Sequence, residues 1–280
     1  MTVKAFHKYI CTNMNLKPIY TAYNKVGLRH VILRGIEFPL LQTKFTSNIY
    51  WKVAPLYYDW RFSRDLKEYD RSLCAFDLRY VNPNQINRLT PRGKPSDGVL
   101  NDIGSVFDGQ WDLQSITPDN YSLFYDEKPE DTLLYQAMKS RYQYGKNWEN
   151  TEFYQTVLNI INDGGSEWHG CSSVKDLEEK CEYVDQLYKK IRDEGYKTQM
   201  ELRDIKPSLN EPFGYMNAYL MEIAVDITRD GELLLVDGRH RLYLSQILDI
   251  AKIPVTIIVR HENWLEKINQ SGKQESELLD

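Results

Sequence analysis

Several things that would quickly narrow a protein's role are scarce or missing in this chain. No run of apolar residues approaches the ~20 needed to cross a bilayer as a helix, and the opening stretch Met1 to Ile10 has no apolar core of the kind a secretory leader carries. Both absences point to a cytoplasmic protein with no transmembrane segment. There is no basic surplus. The 35 Lys and Arg are outnumbered by 40 Asp and Glu, leaving a net charge of −5. Proteins that live on nucleic acid draw much of their affinity from neutralising phosphates, so the balance counts against that class and leaves only a local basic stripe to serve it. Cysteine is sparse too: Cys11, Cys74, Cys171 and Cys181 form no Cys-x-x-Cys pair. His169 and Cys171 stand close together, but no third and fourth ligand can be named, so a structural zinc is rejected and free thiols are expected.

What is present is an ordinary globular composition, 42% hydrophobic and 27% charged. A length of 280 residues allows one large domain or two modest ones. Tyrosine is plentiful, with 20 residues beside 6 tryptophans. Such side chains bury large areas while keeping a polar handle, which suits a packed core with wet grooves.

Residues 1–95 are rich in Tyr, Arg and Lys and only weakly periodic. They read as an irregular N-terminal lobe, with a strand expected over Ile49 to Leu56, a short helix over Asp59 to Tyr69, and a turn at Val81-Asn82-Pro83-Asn84. Residues 91–112 are loop-rich, holding Pro91, Gly93, Pro95, Gly98, Gly104 and Gly109, and mark the best candidate boundary. They end in Asp108-Gly109-Gln110-Trp111-Asp112, which reads either as a site element or as a packed corner around a buried Trp.

Helices are then predicted over Pro129 to Tyr144, Thr151 to Asp163 and Ser173 to Glu194. In the last of these, Val174, Leu177, Cys181, Val184, Tyr188 and Ile191 recur at helical spacing, and Ser173 with Asp176 resembles a capping box. Beyond Glu222 the period changes. Ile223, Val225 and Ile227 alternate with Ala224, Asp226 and Thr228 as a strand does, and Asp230-Gly231 supplies a tight hairpin turn. Leu233 to Val236 is the returning strand, Arg239 to Ile250 a helix, and Ile253 to Val259 a buried strand. The polar tail is expected to be disordered from about residue 266.

The chemistry is concentrated in Asp237-Gly238-Arg239-His240-Arg241, between a strand and a helix. Backbone N–H groups at a helix start are unsatisfied and point outward, so this is a natural anion site. Gly238 lets the backbone approach a ligand, Arg239 and Arg241 offer charge-assisted bonds, and His240 can donate or relay a proton. Asp237 is placed to cap the helix, orient an arginine or hold a metal.

The stretch from Glu222 through this loop, followed by Ile253-Pro254-Val255-Thr256-Ile257-Ile258-Val259, resembles the ParB/sulfiredoxin-like superfamily. ParB proteins carry Gly-Glu-Arg-Arg at this loop, sulfiredoxins Gly-Cys-His-Arg, and the ParB-fold free serine kinases Asp-Gly-His-His-Arg. Asp237, Gly238, His240 and Arg241 match the kinase form. The resemblance implies an α+β fold: an irregular N-terminal lobe over residues 1–95, then over residues 96–265 a helical region leading into a ParB/sulfiredoxin-like mixed sheet with helices. Sulfiredoxin chemistry needs a loop cysteine where this chain has Arg239, and no helix-turn-helix of the partition proteins follows the loop.

The expectation is therefore a nucleotide-dependent phosphotransferase using ATP or ADP and Mg²⁺, acting on a hydroxyl of a small molecule or a glycan or lipid precursor. In that reading Gly238, Arg239, His240 and Arg241 hold phosphates, His240, Asp237 and Glu222 serve catalysis, and Asp237 holds the magnesium ion. Asp112 and Asp230 stand beside Glu222 and Asp237 as further candidates for base or ligand. The alternatives are a ParB-like DNA-binding protein or nuclease, and a nucleotide-binding protein without turnover.

Overall fold

The computed structural model describes residues 37, 40–41, 43–119, 122–205 and 214–279. The N-terminal lobe expected over residues 1–95 and Cys11 therefore lie partly or wholly outside the described residues. Within them the chain is α+β, with ten α-helices and a mixed sheet of six strands. No helix among the described residues is long and apolar enough to cross a membrane.

The first element is a helix, α1 (Lys44–Phe62), where a strand was expected at Ile49 to Leu56. The β-branched and aromatic residues there mimic a strand, but the buried ones, Tyr50, Ala54 and Tyr58, recur every four residues as one helical face requires. Thr43 starts the helix by accepting the Thr46 N–H on its hydroxyl, 3.1 Å away. The helix expected at Asp59 to Tyr69 is split: α1 ends at Phe62 and α2 (Leu66–Tyr69) follows the buried Ser63. The turn at Val81 to Asn84 forms as read, with Asn82 capping a 3₁₀ turn over Pro83–Gln85.

The same N-terminal stretch supplies β1 (Leu78–Val81) and β2 (Arg88–Leu89), and β3 (Ser105–Phe107) follows. Three helices come next: α3 (Leu133–Tyr144), α4 (Glu152–Asn162) and α5 (Val174–Glu194). Thr132 sets the start of α3, later than the predicted Pro129, because its hydroxyl caps the Tyr135 N–H and leaves Pro129–Asp131 as a 3₁₀ turn. The capping box of Ser173 and Asp176 opens α5.

Short helices α6 (Gln199–Ile205) and α7 (Tyr215–Leu220) lead to the hairpin β4 (Ile223–Ile227) and β5 (Leu233–Asp237). Then come α8 (Arg239–Ile247), β6 (Ile253–His261), α9 (Glu262–Ser271) and α10 (Glu275–Leu279). The last two replace the disordered tail expected from the polar composition. Glu275 explains the difference. It is buried and accepts Nε and Nη2 of the equally buried Arg260 at 2.7 and 2.9 Å, with Arg79 at 3.2 Å. An ion pair of this kind ties a polar segment to the core that hydropathy alone would release.

The strand order is β1-β6-β4-β5-β2, with β3 alongside β6 beyond the end of β1. β4 and β6 run parallel at the centre and are buried along their whole length, which is why Ile253 to Val259 reads as a continuous apolar strand. Asp226 is also fully buried, in β4. The β4–β6 register shifts between Val225 and Ile227, and Asp226 Oδ1 accepts the Val259 N–H at 3.2 Å there. The same oxygen accepts Arg92 Nη2 at 2.9 Å, and Oδ2 accepts Arg92 Nε at 2.9 Å and the Thr90 hydroxyl at 2.6 Å. Arg92 reaches on to Asp102 at 2.7 Å.

This arrangement makes a strong prediction. Asp226→Ala strands the Arg92 guanidinium and the Val259 N–H in the interior, so urea unfolding should show a loss of about 3–5 kcal/mol. The paired change Asp226→Leu with Arg92→Met removes both charges and should recover part of that loss. A single variant indistinguishable from the parent would mean the pair does not hold the sheet.

Candidate functional site

The loop between β5 and α8 turns on Gly238, which has φ of +92°. A Cβ at this position would come 2.8 Å from the Ile223 Cα on the neighbouring strand, so backbone conformation and close packing both demand glycine. The carbonyl of Glu222 lies directly beneath it. Asp237 accepts the Gly238 N–H on Oδ1 at 2.8 Å. No side chain caps α8, whose first turn carries Arg239, His240 and Arg241. The positive end of a helix thus begins at a strand end with nothing from its own cap position covering it.

The three cationic or imidazole side chains take separate directions. Arg239 donates through Nη1 to the Phe124 carbonyl at 2.9 Å and lies over the Tyr125 ring, 4.8 Å from its centroid. His240 points inward against Trp168, whose indole N–H donates to its Nε2 at 3.0 Å. An indole nitrogen only donates, so Nε2 is the acceptor and the ring proton of the neutral form sits on Nδ1. Burial, aided by His169, Lys180 and Arg239, lowers the His240 pKa well below the usual imidazole value. The neutral ring is therefore the resting form.

Arg241 turns toward the end of β4. Its Nη1 meets Glu222 Oε2 and the Tyr196 hydroxyl, each at 3.1 Å, and its Nη2 donates to the Met221 carbonyl. Glu222 is almost fully buried, and its second oxygen receives the Gln199 N–H. Burial pushes its carboxyl above the ordinary value, against the pull of Arg241, Gln199 and Tyr196. Both of its oxygens are engaged, so the arrangement suits a residue that fixes Arg241.

Beside Arg241 lies a groove of about 450 Å³ between α5 and α6. Tyr183, Lys190, Tyr196, Lys197 and Gln199 border it, and Met221 and Arg241 form its end toward the loop. The chain thus brings Glu222, Asp237, Gly238, Arg239, His240 and Arg241 to one strand-end region. Asp112 belongs to another cluster. It accepts Arg229 through the backbone N–H and the guanidinium, with Nη2 at 2.6 Å, and stands 3.8 Å from His261 Nε2. Trp111 stacks on His261, so the Asp108 to Asp112 corner closes against the hairpin turn. Among the described residues no group of three or more His, Cys, Asp and Glu could hold a metal ion.

Sequence reasoning missed Trp168, Tyr196, Phe124 and Tyr125, which fix the loop's side chains. Trp168 and His169 carry positive φ values of 48° and 65°, a conformation that no residue pattern announces. Comparison of the chain with models of protein families, with curated proteins and with solved structures finds no match.

The half-buried, neutral imidazole has a consequence for stability. Unfolded His240 titrates near pH ~6.5, while in the folded chain its pKa is depressed. Below that pH the unfolded chain binds a proton that the folded chain refuses, so stability falls as the solution is acidified from pH ~6.5, by at most about 1.4 kcal/mol per pH unit. His240→Gln should flatten this limb relative to the parent in denaturation curves taken across the range. Parallel curves for the two proteins would contradict the burial of a neutral ring.

Proposed function

We propose that the β5–α8 loop binds the phosphates of a nucleotide and that the protein is a phosphotransferase acting on a hydroxyl, with a ParB/sulfiredoxin-like arrangement of β4, β5, α8 and β6. The observation that carries the reading is a helix start without a side-chain cap, behind an obligatory glycine, whose first turn sends Arg241 into the lining of a groove that Lys190 and Lys197 also border. Phosphate needs such N–H groups and cations, and about 450 Å³ lies within the span of ~300–1,000 Å³ typical of small-molecule sites.

In this reading the first amides of α8 and the Arg239 guanidinium hold phosphate oxygens. His240, with Nε2 held by Trp168, offers its Nδ1–H as a donor. Glu222 and Tyr196 position Arg241, and Asp237 is the carboxylate at the loop for a proton or a magnesium ion. Magnesium bound with nucleotide keeps several waters and takes few protein ligands, so a single carboxylate fits that chemistry. Phosphoryl transfer asks mainly for positioned charge: the acceptor oxygen attacks phosphorus, the bridging P–O bond breaks, and the acceptor proton leaves to a base. The acceptor class is a small molecule or a glycan or lipid precursor.

Calorimetric titration with ATP, ADP and CTP in magnesium, together with transfer of labelled phosphate to sugars, polyols, amino acids and lipid-linked precursors, tests this directly. Arg239→Ala should weaken nucleotide binding roughly tenfold to a hundredfold, with a small fall in thermal midpoint from the lost bond to the Phe124 carbonyl. His240→Ala should cut turnover by about 10²–10⁴ with a smaller effect on affinity. Arg241→Ala should also cost stability, because Glu222 loses its cation in the interior. No transfer to any acceptor, combined with tight duplex binding that fades steeply with salt, would defeat the reading in favour of a ParB-like DNA-binding protein.

A further inference from the structure

Helix α1 has two apolar faces, and α7 and the Phe76 segment cover one of them. Tyr50, Ala54 and Tyr58 face inward. On the other side Phe45, Ile49, Val53, Leu56 and Trp60 form a continuous stripe facing solvent, with Tyr57 beside it. Exposure is 74% for Phe45, 72% for Leu56 and 71% for Trp60, values that leave most of each ring or branched chain in water. From Phe45 to Trp60 the stripe runs ~22 Å along the helix axis. A contiguous row of this kind is unusual on a surface that meets only water.

The charges around the stripe are of both signs, but Asp59 and Asp65 each stand against a basic residue, and the charge on the stripe itself is basic. Lys52 is exposed in the middle of it, and Arg61 follows Trp60 at the C-terminal end of the helix. Asp59, the acidic residue of α1, is turned aside into an ion pair with Lys67. Arg64, just past the helix, is exposed and stands 4.0 Å from Asp65. The stripe thus carries a lysine and no carboxylate, within a chain whose net charge is −5.

We propose that this face of α1 is a docking surface for an anionic lipid membrane, on which the helix lies in the plane of the interface. Large apolar side chains on one face with basic residues among them are what interfacial helices use. Trp60 supplies a ring suited to the headgroup level, and Lys52 can reach from the stripe to lipid phosphates along its apolar stem. A second copy of the chain fits less well. A two-fold crossing of two α1 stripes, centred midway between Phe45 and Trp60, brings the two Lys52 ammonium groups together. The inference is independent of the phosphotransferase reading, since no residue of the β5–α8 loop takes part.

The test is sedimentation of the full chain with vesicles of phosphatidylcholine containing phosphatidylglycerol, and with vesicles of phosphatidylcholine alone. The chain should sediment with the anionic vesicles, less so at raised salt, and only weakly with the neutral ones. Leu56→Glu with Trp60→Glu should lower the partition coefficient about tenfold or more, and Lys52→Glu should lower it about tenfold on anionic vesicles alone. These side chains are exposed, so circular dichroism and the thermal midpoint should match the parent, and the Lys52 variant tests the proposal by itself if the double variant folds poorly. Failure to bind anionic vesicles, or equal binding by the parent and both variants, overturns it. So does a dimer in light scattering that the double variant abolishes while vesicle binding is absent, which would assign the face to a second copy.

Discussion

The carboxylate of Asp226 is the constraint on which the sheet depends. It sits where the parallel ladder between β4 and β6 slips, and it completes that ladder by accepting the Val259 N–H. The same group binds Arg92 and Thr90, which follow directly on β2. One buried side chain therefore joins a central strand, its neighbour and the segment leading from the sheet edge. A buried charge is costly unless every lone pair is used, and here Arg92, Thr90 and Val259 use them. Arg92 is in turn held over the Phe107 ring, 5.4 Å from its centroid, and by Asp102. The loop-rich stretch that reads as a boundary in the sequence is thereby fastened to the sheet.

A second buried carboxylate does the equivalent work for the candidate site. Glu222 stands at the start of β4, and its bonds to Arg241, Tyr196 and Gln199 connect the first turn of α8 to the segment between α5 and α6. The groove lies along that seam, so its wall and the loop share one ionic contact. Trp168 performs a related task from the α4–α5 connection by fixing His240. The loop's side chains are thus oriented by residues distant in sequence, and this is what a site needs if its geometry is to precede its ligand.

Much of the α+β pattern was legible from periodicity. The alternation of Ile223, Val225 and Ile227, the Asp230-Gly231 turn and the stripe through Leu177, Cys181 and Val184 each specify an element by local rules. In the sequence Gly238 reads as a turn that lets the backbone approach a ligand; the close neighbour found is Ile223 of β4. The failures share a cause. The α1 segment carries apolar residues on two faces, so neither the helical nor the strand period stands out. The tail is polar, and its helices depend on Glu275 finding Arg260, a contact that no local pattern contains. Around the site, the inward turn of His240 and the pairing of Arg241 with Glu222 also depend on tertiary partners, which no local pattern contains.

The central claim is that the amide groups opening α8 receive phosphate. Backbone amide NMR on isotope-labelled protein, titrated with ADP and magnesium and separately with inorganic phosphate, addresses it most directly. The account predicts that the Arg239 and His240 amide resonances move with both ligands, while those of the Lys190 and Lys197 border of the groove move with the nucleotide alone. Saturable shifts confined to other parts of the chain, with the amides of residues 238–241 unmoved, would contradict it.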